Sequence, residues 1–88
     1  MTIVVSGNLR RFTGFESEVE LDADSVPTAL GQLVERFPQL RPVVLDSDGN
    51  LRQVHRLYLN GELLDRGDAG RALAPGDELG ILTAIAGG

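Results

Sequence analysis

The sequence predicts an α+β fold, a mixed sheet of about five strands with one main helix packed on one face. Three observations predict it. Short β-branched or alternating apolar runs recur at 2–6, 15–21, 54–64 and 78–82, the two-residue period of strands. One segment, 24–37, carries its apolar residues at helical spacing instead. Two turn dipeptides, Asn60-Gly61 and Pro75-Gly76, punctuate the last strands. Because strands surround a single helix, that helix has to cover one face of the sheet.

The elements follow in order. Residues 2–6, Thr-Ile-Val-Val-Ser, read as a strand buried on both faces or nearly so. A turn around Gly14 leads into Phe15–Leu21, where Phe15, Val19 and Leu21 alternate with Glu16, Glu18 and Glu20. That pattern is a half-buried strand, and its acidic row suits a sheet edge. Val26, Leu30, Leu33, Val34 and Phe37 then fall on one helical face. Asp24 or Ser25 can cap its start, Pro27 fits the first turn, and Pro38 ends it. Residues 38–50 give a short turn or helical piece and a polar loop. Asn60-Gly61 then makes a hairpin, 65–74 a loop with one helical turn at Gly70–Leu73, and Pro75-Gly76 a tight turn into the last strand. In the last strands Leu57, Leu59, Leu79 and Ile81 fit the covered face. Tyr58, Gly80 and Leu82 point the other way, which makes Tyr58 and Leu82 candidates for docking a partner.

Composition removes several function classes. At 88 residues the chain is one domain, near the lower size limit for a self-sufficient core. There are no cysteines, so neither disulfides nor thiolate metal sites are available. A net charge of −5 argues against nucleic acid, and no apolar run approaches the roughly 20 residues of a membrane span. The start has no basic leader or long apolar core of a signal peptide. A soluble cytoplasmic protein is the expectation.

The local motifs carry little chemistry. Asp46–Asn50 resembles the start of a calcium loop, but its glycine comes too early and Leu57 stands where a bidentate Glu belongs. Arg66-Gly67-Asp68 is an adhesion tripeptide without a secretory context, and Gly67–Gly70 lacks the spacing and lysine of a phosphate loop. His55 is the only histidine, so no metal site or nucleophile–base pair is in view. A domain this small without a catalytic set is a partner or substrate rather than an enzyme.

The ending is the exception. Ala84-Ile85-Ala86-Gly87-Gly88 has no turn to make with its two glycines. Small residues suit any frayed terminus, but glycine pairs also form the thinnest thread a chain can offer. From Thr83 to Gly88 such a thread reaches about 20 Å. A terminal carboxyl, with a pKa of about 3.3–3.7, is a carboxylate near neutral pH and a poor electrophile. Adenylation by ATP would activate it inside another protein's nucleotide pocket. All eight cationic residues are Arg and none is Lys; this fits arginine-biased coding, and it also fits a chain without amines to intercept its own activated end.

The strand–turn–strand–helix–strands order, with Asn60–Leu64, Pro75–Leu82 and Ala84–Gly88, resembles the ubiquitin-like sulfur carriers of the ThiS/MoaD family, nearest the CysO-like type. The resemblance covers essentially the whole chain. It implies a ubiquitin-like β-grasp domain at 1–82 with the second strand at an edge, and a flexible C-terminal tail at 83–88. It also implies a chemistry in which the chain binds no cofactor itself. A ubiquitin-activating-type enzyme uses ATP and Mg²⁺ to adenylate Gly88. A sulfur donor displaces AMP, and the resulting thiocarboxylate passes sulfur to a biosynthetic enzyme. Gly88 is then the activated residue, Gly87, Ala86, Ile85 and Ala84 thread the pocket, and Leu82 docks the activating enzyme. Thr83-Ala84 departs from the prolines frequent in molybdopterin-type members, and the longer middle, 38–53, departs from the compact thiamin type. The ending is closer to the thiamin and cysteine types. Of the cysteine-, thiamin-, molybdopterin- and secondary-metabolite-type pathways such carriers serve, the chain as a whole suits a cysteine-type or multi-pathway carrier. Two alternatives share these residues: a ubiquitin-like modifier joined through Gly88 to protein lysines, and a non-covalent adaptor using Tyr58 and Leu82.

Overall fold

A computed structural model describes residues 1–5, 7–52, 54–65 and 70–83, the side chains of Asn8 and Thr83 excepted. Five strands form one mixed sheet in the order β2-β1-β5-β3-β4. They are β1 (Thr2–Val5), β2 (Glu18–Glu20), β3 (His55–Leu59), β4 (Glu62–Leu63) and β5 (Glu78–Thr83). The main helix α1 (Val26–Arg36) and a single turn α2 (Arg41–Val44) lie between β2 and β3 in sequence. First and last strands run parallel at the centre, and the other pairings are antiparallel. This is the β-grasp arrangement, with β2 at an edge as expected.

The core lies on one side of the sheet. Ile3, Val5, Val19, Leu57, Leu79 and Ile81 meet Val26, Ala29, Leu30, Leu33 and Val34 of α1, all buried. Burying each of the larger of these side chains, the Val, Leu and Ile, is worth about 1.5–3 kcal/mol, and at this chain length the core has few to spare. Ser25 caps α1, its hydroxyl accepting from the Thr28 N–H at 3.3 Å, with Pro27 in the first turn. Leu40, Val44 and Leu45 bring the 38–45 segment into the same core.

Four expectations need correction. β1 is covered on one face only: Ile3 and Val5 are buried, Thr2 and Val4 are half-buried, and no second layer among the described residues meets them. Residues 7–12 form a 3-10 helix that buries Leu9, so the turn absorbs Thr13–Phe15 and β2 begins only at Glu18. Phe15 accordingly leaves the expected covered face: it has φ 68 and is 77% exposed. Buried Thr13 fixes that turn through its hydroxyl, bonded to the carbonyls of Arg10 and Glu16. Finally, Arg71–Leu73 is extended rather than helical. The Val26 N–H donates to the Arg71 carbonyl and the Leu73 N–H to that of Asp24, and these pairings with the helix entry replace a local turn.

The hairpin forms as expected. Asn60 (φ 52) and Gly61 (φ 88) occupy the two positive-φ positions of a type I′ turn, setting Tyr58 opposite Leu63 and Leu59 opposite Glu62. Asp46 closes an Asx turn, accepting from the N–H groups of Asp48 and Asn50. Its carboxylate thus does structural work, and the described residues contain no cluster that could hold a metal.

Candidate functional site

The uncovered face of the sheet is built by simple alternation. Inward residues of β1, β3 and β5 fill the core, so Thr2, Val4, Arg56, Tyr58, Glu78, Gly80 and Leu82 face outward. Strand register then arranges this face in rows. Glu20, Thr2 and Glu78 form one, with the Thr2 hydroxyl bonded to Glu20. Glu18, Val4, Gly80, Tyr58 and Leu63 form the next. Leu82 and Arg56 form the third, at the end where β5 stops. The middle row holds a shallow depression of about 160 Å³ over Gly80, walled by Val4, Tyr58 and Leu82.

Leu82 is 42% exposed and Tyr58 half-buried, so both lie on the open face where alternation places them. Thr83 is still in β5, paired with His55, one residue past the expected boundary of the tail. Ala84, Ile85, Ala86, Gly87 and Gly88 lie outside the described residues, as does Arg66-Gly67-Asp68. His55 is a core residue, 2% exposed, with its Nε2 2.8 Å from the Val43 carbonyl oxygen. It anchors the start of β3 to the 41–45 segment.

Sequence reasoning missed three apolar residues here. Phe15, Val54 and Leu63 are exposed, like Leu82. Three of these four large apolar groups stand at the end of the sheet that β5 leaves: Leu82 on that strand, Val54 beside His55, and Phe15 just beyond the Val5–Ser17 contact. Leu63 could have been found, since a two-residue hairpin turn sets it opposite Tyr58. Phe15 could not, because strand alternation gives no hint of its positive φ.

The face is braced at its acidic end. Asp77 accepts from the Asn60 side-chain amide at 3.1 Å and from the Ala74 N–H at 2.8 Å. Asn60 in turn accepts from the Glu78 N–H at 3.0 Å. The Ala74 N–H, then the Asn60 amide, hold the Asp77 carboxyl below its ordinary 3.8, with smaller help from the charges of Arg71 and the Met1 ammonium. A carboxyl depressed on folding stabilises the fold above its ordinary value, and that contribution is lost as pH falls through the lowered value. Asp77→Ala is therefore expected to lower the melting temperature at pH values above 3.8, by a difference that shrinks under more acidic conditions. Melting curves across an acid series check this; a pH-independent difference contradicts it.

A family model, that of the ThiS family, matches residues 3–88. The chain belongs to the ThiS family. Its members are ubiquitin-like β-grasp sulfur carriers, not catalysts themselves. Solved structures agree with this membership. SAMP1, the small archaeal modifier protein 1 of Haloferax volcanii, is 31% identical with a TM-score of 0.81, over 99% of this chain and 97% of that one. CysO in the Amycolatopsis orientalis BexX/CysO complex is 28% identical with a TM-score of 0.84, over 99% and 98%. Mycobacterium tuberculosis CysO is 26% identical with a TM-score of 0.82, over 96% and 98%. No curated protein matches the sequence significantly. This ThiS-family chain is thus of the sulfur-carrier or ubiquitin-like-modifier kind, and a CysO relative is solved with a partner protein. Among the described residues, no helix is long and apolar enough to cross a membrane.

Proposed function

We propose that the chain carries sulfur on its C-terminal glycine. The Gly88 carboxylate attacks the α-phosphorus of ATP, held with Mg²⁺ by a ubiquitin-activating-type adenylating enzyme, and releases pyrophosphate. Hydrosulfide then adds to the acyl carbon and expels AMP, leaving a thiocarboxylate. In a biosynthetic enzyme the thiocarboxylate sulfur attacks an electrophilic carbon of the acceptor and displaces its leaving group. Hydrolysis of the resulting acyl–sulfur bond releases the sulfur on the acceptor and returns the carboxylate. Gly87, Ala86, Ile85 and Ala84 thread the pocket, where side chains larger than these would obstruct the approach. Leu82 and Tyr58 dock the activating enzyme.

One observation supports this most: the family match runs through residue 88. The exposed apolar residues at the end of β5 support the docking role. The likeness to CysO structures suits the CysO-like carrier expected from the sequence. The likeness to SAMP1 favours a second reading, in which Gly88 is joined to lysines of other proteins. Cell extracts distinguish the two: C-terminal peptides of this chain joined through Gly88 to lysines of other proteins, without thiocarboxylate, would establish the modifier.

Leu82→Asp places a charge where an apolar contact is proposed. Binding to the adenylating enzyme is expected to fall by roughly 30-fold or more, the effect of losing a hot-spot contact. Melting should stay within about 0.5 kcal/mol of wild type, as for most surface changes. Calorimetric titration checks it, and unchanged affinity would remove the proposed face.

A further inference from the structure

Gly80 occupies the middle of β5, a central strand, where glycine weakens a sheet and frequently marks close approach by another molecule. Nothing among the described residues requires glycine there. Its φ lies outside the left-handed region, and an added Cβ would meet only the Tyr58 carbonyl oxygen at 3.8 Å and Tyr58 Cβ at 3.9 Å, ordinary contacts. The missing side chain therefore matters to what lies outside the sheet. It leaves the depression of about 160 Å³ between Val4, Tyr58 and Leu82, similar in size to the ~150 Å³ apolar cavities that accept a benzene ring.

We infer that this depression receives one branched or aromatic apolar side chain of the adenylating enzyme, set beside basic groups that face Glu18, Glu20 and Glu78. The inference rests on the docking role proposed for Leu82 and Tyr58. It commits to that partner on two grounds. Leu82 forms one wall of the depression and Thr83 is the next residue, so a protein that takes in Gly88 comes within the roughly 20 Å reach of the tail from this ground. The acidic row along one margin, on a chain of net charge −5, attracts a basic surface and repels a second copy of itself.

The test is calorimetric titration of the full chain against the purified adenylating enzyme of the same organism. Gly80→Leu fills the depression and is expected to weaken binding by roughly 30-fold or more. Gly80→Ala should weaken it less, with melting unchanged or raised. If the leucine variant melts lower, the alanine variant carries the test, because its Cβ has room. Joint Glu18→Arg and Glu78→Arg substitution should weaken binding further and flatten its salt dependence. Gly80 variants that bind like wild type while Leu82→Asp does not would overturn the inference and leave the docking face standing. Wild-type binding by Leu82→Asp as well, or no binding by the wild-type chain, would overturn both. Sedimentation showing that Gly80→Leu abolishes a wild-type dimer, with enzyme binding intact, would assign the depression to self-association and also overturn the inference.

Discussion

Removing Gly87 and Gly88 is expected to abolish adenylation entirely, read as ATP–pyrophosphate exchange with the activating enzyme, and to leave thermal melting unchanged. The two halves have separate causes. Cutting two residues shortens the thread by about 7 Å, whereas a misplacement of about 1 Å at a reacting centre can already cost a hundredfold. The described core runs no further than Ile81, and the expectation of unchanged melting rests on that core. Exchange that persists in the truncated chain would show that the activated group lies elsewhere. A non-covalent adaptor would instead keep its biological output without the two glycines.

Leu33→Ala should show the opposite pattern. Leu33 is fully buried on α1 where it packs under the sheet, and truncating such a residue costs about 2–5 kcal/mol, with the larger values where a cavity stays open. For a domain of this length each kcal/mol shifts melting by roughly 4–8 °C, so a drop of about 10 °C or more is expected. At a temperature where the variant remains folded, its tail should still be adenylated at the wild-type rate. Denaturant unfolding and pyrophosphate exchange on one sample check both. A loss of exchange in fully folded variant would mean that α1 takes part in recognition rather than only in support.

The fold was legible in the sequence wherever periodicity and turn chemistry agreed. The helical spacing of Val26, Leu30, Leu33 and Val34, capped by Ser25, is what forms α1. Asn60-Gly61 set the hairpin register by their own turn chemistry, and the Asn60 side chain is held further by Asp77 and Glu78. Reading failed where distant contacts outweighed local pattern. Phe15 continues an alternation, but buried Thr13 and the 3-10 helix before it need those residues for a turn. Arg71–Leu73 looks like a helical turn and is drawn straight by its hydrogen bonds to the entry of α1. Outward placement of Tyr58, Gly80 and Leu82 followed from alternation alone. The depression over Gly80 needed β1 as well, because Val4 comes from a strand 76 places earlier in sequence and only the parallel β1–β5 register brings it alongside.

Intact-mass measurement of the chain after incubation with the adenylating enzyme, ATP, Mg²⁺ and sulfide tests most directly whether Gly88 carries sulfur. The predicted result is exchange of one oxygen for one sulfur, placed on Gly88 by fragmentation. An unchanged mass under conditions where pyrophosphate is released, or a sulfur found on any other residue, would contradict it.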